Sequence, residues 1–135
     1  MDYGYLRCTA VSPLVKPADV AFNCTQIASA YDDAARDGSS LVLFPELSLT
    51  GYTCADLFHQ DLLCDAALEA LGVLAAKTAG GPALLVGLPI ARDGMLWNCA
   101  AVLADGRIAA LVPKSWLPDY KEFYESRWFS PGTAS

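Results

Sequence analysis

Histidine occurs once in this sequence, at His59, and no two of its five cysteines stand at CxxC spacing. Cys8, Cys24, Cys54, Cys64 and Cys99 are scattered and odd in number, which argues against a disulfide framework and against a zinc site; most read as small buried hydrophobes. His59, without a partner set, reads as structural. Basic residues are scarce: nine against fifteen acidic ones, a formal charge of −6, and no basic stripe to follow a phosphate backbone. The longest uncharged apolar run, Ala83 to Ala91, is too short for a membrane span, and no basic segment followed by an apolar core opens the chain. The expected location is therefore cytoplasmic. A phosphate-cradling glycine loop is also missing, since Gly80-Gly81-Pro82 lacks both the lysine and the strand-to-helix context. Internal repeats, linkers and low-complexity segments are absent too.

What is present is apolar. Hydrophobic residues make up 54% of the 135 and charged residues only 18%, the composition of a folding segment of domain size. Tyr5 to Val11 is rich in β-formers and reads as a first strand, ended by Ser12-Pro13. From Ala18 to Arg36 the side chains Val20, Cys24, Ile27, Ala28, Tyr31, Ala34 and Ala35 fall on one face of a helix, which Gly38 closes. Leu41 to Phe44 is a short, wholly apolar strand, expected to be covered on both faces. A second helix is predicted from about Asp61 to Thr78, with Leu63, Ala67, Leu71 and Leu74 on its stripe, then a strand from Ala83 to Leu88. Met95–Ala104 and Arg107–Val112 flank Asp105-Gly106, a two-residue hairpin turn. Strands alternating with helices and then a hairpin predict an α/β domain with a mixed sheet.

Two residues stand where such sheets place their chemistry. Glu46 follows the apolar strand within Leu43-Phe44-Pro45-Glu46-Leu47, just past its C-terminal end. Lys114 follows Pro113 at the end of the last strand. Alone, the first is an ordinary loop carboxylate and the second a surface lysine. If they converge, a carboxylate can act as a base and an ammonium can stabilise an oxyanion, the equipment for acyl transfer from an amide once a nucleophile is supplied.

The run Phe44-Pro45-Glu46-Leu47-Ser48-Leu49-Thr50-Gly51-Tyr52 resembles the first signature of the nitrilase superfamily, and Pro113-Lys114-Ser115-Trp116-Leu117-Pro118 resembles the second. The resemblance implies part of a four-layer α-β-β-α sandwich and a Glu-Lys-Cys triad, with Glu46 the general base and Lys114 the oxyanion-stabilising lysine. The stretch from Asp119 through Tyr120, Phe123, Tyr124 and Glu125 to Phe129 is more specific and looks like that of glutamine-dependent NAD synthetases. It implies that Tyr120 and Glu125 border a glutamine pocket with Tyr52 beside them, that Phe123 packs against the substrate chain, and that Glu125 pairs with the substrate's α-ammonium. Tyr124, Trp128 and Phe129 read as core. The likeness extends from the first strand to Phe129 and includes Trp97-Asn98-Cys99-Ala100.

No cysteine stands in the context expected of the nucleophile. Cys99 lies within a hairpin strand and Cys54 in the loop after Tyr52. The expectation is thus an N-terminal part, residues 1–135, of a glutaminase domain that stops before its catalytic cysteine. The synthetase domain, with the ATP and Mg it uses to amidate deamido-NAD, would lie elsewhere in the same polypeptide, and this segment itself would carry no cofactor. Such a segment would be inactive alone, and its uncovered apolar faces would favour association, with a homo-oligomer the expected state. Two other readings stand beside this one: a stand-alone amidase acting on another small amide, and a truncated product that only binds or assembles.

Overall fold

The computed structural model describes residues 4–132. Its first helix, α1 (Val20–Arg36), begins where the Asp19 side chain accepts a hydrogen bond from the Phe22 backbone at 3.0 Å, an N-cap that satisfies one of the free donors of the first turn. It ends at Gly38, whose φ of 78° turns the chain back. The second helix, α2 (Asp61–Lys77), buries Leu63, Ala67, Leu71 and Leu74 as its stripe predicts.

Among the described residues five strands form one sheet in sequence order. β1 (Cys8–Ala10), β2 (Leu41–Leu43) and β3 (Ala83–Arg92) run parallel; β4 (Met95–Ala104) and β5 (Arg107–Pro113) are antiparallel. The mixed sheet agrees with the sequence reading. Both hairpin turns place an Asp-Gly pair at positive φ: Asp93 and Gly94 at 51° and 74°, Asp105 and Gly106 at 51° and 76°. That geometry matches the twist of the flanking strands. Only the second turn was legible beforehand; the strand expected to stop at Leu88 continues to Arg92 and forms a hairpin of its own.

α1 and α2 cover one face of the sheet. Ile27, Tyr31, Ala67, Leu71 and Leu74 meet Val42, Leu84, Val86, Leu88, Ala101 and Leu103 in a single core. Each fully buried leucine there contributes about 1.5–3 kcal/mol. Polar links tie the layers: the Tyr31 hydroxyl donates to the Pro82 carbonyl at 2.8 Å, and the Gly106 backbone donates to Thr78 Oγ1 at 3.1 Å.

Three expectations need correction. The first strand is confined to Cys8–Ala10, because its partner β2 offers only three residues to pair with, and Tyr5 and Leu6 are exposed. β2 is covered on one face only: Val42 is fully buried, whereas Leu43 on the opposite face is 45% exposed. Alternation across a sheet with helices on one side explains this, and Leu85, Ala100 and Val112 extend the same open face. Finally, Tyr52–His59 forms a kinked 3-10 helix that no periodicity announced.

Candidate active site

Glu46 is held by the turn that replaces β2 at the sheet's C-terminal edge. Phe44 still pairs with β3, donating to Leu85 O at 2.9 Å; the chain then folds over so that Gly51 donates to Leu47 O at 2.7 Å and Leu49 to Gly87 O at 3.1 Å. Leu47 takes a φ of 51° in this turn and is fully buried, which anchors it. The turn presses directly on β3: a Cβ on Gly87 would stand 2.2 Å from Leu47 N and 2.9 Å from Glu46 Cα. Only glycine leaves room for the backbone that carries Glu46.

Lys114 arrives from the end of β5, its backbone donating to Asn98 O at 2.8 Å. Its Nζ lies 2.8 Å from Glu46 Oε1, so the two strand ends do converge. The same ammonium lies 3.1 Å from Glu125 Oε1 and 3.0 Å from Oε2. Burial works against its charge, but the hydrogen bonds and negative charges of Glu46 and Glu125 outweigh burial and hold the Lys114 ammonium above its ordinary pKa. It is therefore a fixed cation, suited to stabilising an oxyanion and unsuited to giving up a proton.

Tyr52, at the start of the 3-10 helix, donates its hydroxyl to Glu125 Oε1 at 2.6 Å. Burial, that hydrogen bond, and the charges of Glu125 and Glu46 all raise its pKa, so it stays a protonated donor. Phe123 stands edge-on to both Tyr52 and Tyr120, at 6.5 and 5.8 Å between ring centroids. Tyr52 and Phe123 line a cleft of about 300 Å³, while Glu46 and Lys114 line a second one of about 330 Å³ on the open face of the sheet. Tyr120 is 63% exposed and reaches the group only through Phe123.

Glu125 departs from the expected open border of a pocket. It is 1% exposed, and its carboxylate faces Lys114 and Tyr52. An incoming α-ammonium finds no exposed oxygen there, because the loop from Pro118 folds Glu125 inward: its backbone donates to Pro118 O at 3.1 Å and its carbonyl accepts from Phe129 at 2.9 Å. Tyr124, expected in the core, is 56% exposed, whereas Phe129 is buried against Phe58.

Two features escaped the sequence reading. Asn98, 3% exposed in β4, donates its side-chain amide to Glu46 Oε1; the signal was a lone amide in an otherwise apolar strand. Asp56, in the 3-10 helix, accepts both Arg127 Nε and Nη2 at 2.9 Å and Trp128 Nε1 at 2.9 Å. This clamp ties the segment carrying Tyr52 to the segment carrying Glu125.

Neither Cys99 nor Cys54 is suited to attack. Cys99 lines the cleft beside Glu46 but is 5% exposed, and burial pushes its pKa up to about 11. Cys54 is buried and donates to Thr50 O at 3.0 Å, with its pKa likewise raised by burial. Among the described residues no group of three or more His, Cys, Asp or Glu side chains is arranged to hold a metal ion, and no helix is long and apolar enough to cross a membrane.

A one-sided α/β sheet thus brings a glutamate and a lysine together at its C-terminal edge. The chain belongs to the carbon-nitrogen hydrolase family, whose sequence profile matches residues 7–135. It is 40% identical over 135 aligned residues to the glutamine-dependent NAD(+) synthetase of Mycobacterium tuberculosis, covering 97% of this chain and 19% of that protein. The chain therefore spans about a fifth of the length of such relatives. Its fold matches the glutamine-dependent NAD(+) synthetase of Cytophaga hutchinsonii with a TM-score of 0.89 and 28% identity, over 93% of this chain and 22% of that one. An amidase from Nesterenkonia sp., bearing the acetamide moiety of fluoroacetamide on its active site cysteine, matches with a TM-score of 0.80 and 25% identity, over 96% of this chain and 49% of that one.

Proposed function

We propose that this chain is the glutamine amidohydrolase part of a glutamine-dependent NAD synthetase, furnishing ammonia for the ATP-dependent amidation of deamido-NAD. The observation that carries the reading is the convergence of Lys114 Nζ on Glu46 Oε1 at 2.8 Å, in a family member 40% identical to a synthetase of that name. The nucleophile is a cysteine outside residues 1–135, in keeping with the buried, high-pKa thiols described above and with the active site cysteine of the amidase neighbour. Glu46 takes the thiol proton, and the thiolate attacks the side-chain carbonyl carbon of glutamine. Lys114 balances the tetrahedral oxyanion. As the C–N bond breaks, Glu46 returns the proton to the departing ammonia, leaving a thioester. Water then attacks the thioester with Glu46 again as base, and glutamate leaves.

Glu125, itself bonded by Tyr52, holds Lys114, and Phe123 and Tyr120 face the substrate chain. The rest of the polypeptide covers the open face of the sheet and supplies the synthetase domain, where ATP and Mg act. The working protein is cytoplasmic and homo-oligomeric. The amidase neighbour favours a second reading, an amidase acting on a different small amide; its likeness covers the same residues at lower identity.

The test uses the full-length polypeptide. Glu46→Gln should abolish NAD formation from glutamine while sparing NAD formation from ammonium salts. Lys114→Arg should lower glutamine hydrolysis by roughly 10²- to 10³-fold, since a planar guanidinium does not reproduce a compact ammonium. Equal loss of both ammonia sources in Glu46→Gln, or near-normal hydrolysis in Lys114→Arg, overturns the assignment.

A further inference from the structure

We propose that Asn98 is a positioning residue for hydrolysis: it pins one oxygen of Glu46 so that the other is the proton acceptor. The inference rests on the reading of the chain as a glutamine amidohydrolase.

β4 runs Met95-Leu96-Trp97-Asn98-Cys99-Ala100-Ala101-Val102-Leu103-Ala104, and its one amide is 3% exposed. Burying an amide among apolar neighbours is costly unless it is hydrogen-bonded, and here the side-chain bond runs to Glu46, while the backbone of the same residue bonds Lys114. The Asn98 backbone carbonyl accepts from the Lys114 backbone N–H at 2.8 Å, fixing where the lysine leaves β5. The Asn98 side-chain amide donates to Glu46 Oε1. Lys114 Nζ donates to the same Oε1 at 2.8 Å. Asn98, Lys114 and Glu46 thus form a closed triangle, each bonded to both of the others. The amide orientation follows from the partner, because only the –NH₂ end can face a carboxylate oxygen.

The consequence lies in the oxygen left over. Two donors occupy Oε1, while Oε2 has no hydrogen-bond partner among the described residues. The Glu46 side chain is 41% exposed, so burial alone does not fix its rotamer. With Lys114 as the sole tether the carboxylate can pivot about a single contact and exchange its oxygens. The second, rigid donor on β4 stops that pivot. Oε2 then presents its lone pair in one direction, available first to the thiol proton and later to the proton of water. A base displaced by about 1 Å loses on the order of 100-fold in rate.

The decisive variant is Asn98→Leu, which keeps the volume and removes the donor, assayed in the full-length polypeptide. The expected result is a fall of about 100-fold in kcat for ammonia release from glutamine, with KM within about twofold of wild type and NAD formation from ammonium salts unchanged. A structural filler would leave kcat near normal in this variant. If Asn98→Leu does not fold, Asn98→Asp takes its place, since it keeps the shape and puts an acceptor where the donor stood; the same loss of kcat is expected. A kcat within twofold of wild type in the folded variant, or a change confined to KM, overturns the proposal while leaving the amidohydrolase reading intact. A wild-type protein that makes NAD from ammonium but releases no ammonia from glutamine overturns both.

Discussion

Gly87→Ala tests how tightly the turn bearing Glu46 is seated on the sheet. The added methyl would lie 2.2 Å from Leu47 N, 2.8 Å from Glu46 C and 2.9 Å from Glu46 Cα, all backbone atoms. Non-bonded heavy atoms settle near 3.5 Å, so the turn must retreat by about 1 Å. The retreat has nowhere soft to go, since Leu47 and Leu49 beside it are fully buried. Overpacking of this kind costs about 1–3 kcal/mol of stability. The larger effect falls on Glu46, because a shift of about 1 Å in a catalytic group lowers turnover by on the order of 100-fold. The assay is ammonia release from saturating glutamine by the full-length polypeptide, with NAD formation from ammonium salts and thermal unfolding measured in parallel. Gly72→Ala is the matched control: nothing stands within 4 Å of its Cβ position on α2, and the change should stabilise by up to about 1 kcal/mol without affecting hydrolysis. Glutamine hydrolysis in Gly87→Ala within twofold of wild type would refute the claim that this contact places Glu46.

Lys114→Ala should destabilise the protein by about 3–5 kcal/mol, because it leaves the 1%-exposed Glu125 without its cation; adding Glu125→Gln should recover most of that in denaturant melts without restoring hydrolysis. Equal stability of the single and double variants would mean that the pair is not coupled. Hydrogen bonds from Arg127 and Trp128 hold the Asp56 carboxyl below the usual carboxylate range. A group with a depressed folded-state pKa stabilises the fold above its unfolded value and loses that contribution as pH falls toward the folded one. The gap in thermal midpoint between wild type and Asp56→Asn should therefore be widest near neutrality and narrow as pH drops below about 4; a gap constant from pH 7 to pH 3 would sink this account. Cys99→Ala should keep at least half of the wild-type rate of glutamine hydrolysis, since its thiol is buried with a pKa near 11; loss of the burst of acyl-enzyme in that variant would make Cys99 the nucleophile after all.

The local elements of this protein were readable from its sequence because local interactions determine them. The stripe of Leu63, Ala67, Leu71 and Leu74 must face one way on any helix, and Asp105-Gly106 must turn the chain whatever surrounds it. The placement of Glu46 and Lys114 at strand ends follows from the same local logic, and the signature runs around them identified the family. Tertiary structure alone decided which groups meet. Asn98 reaches Glu46 across 52 positions and Tyr52 reaches Glu125 across 73, distances over which register and loop path, not propensity, choose the partner. Burial was equally invisible: the sequence reading put Glu125 on the open border of a pocket, yet the fold from Pro118 to Phe129 closes over it and gives it to Lys114. An apolar strand such as β2 reads as covered on both faces because hydrophobicity reports what a side chain prefers; only the packing of α1 and α2 on one side of the sheet decided that Val42 is buried and Leu43 is open.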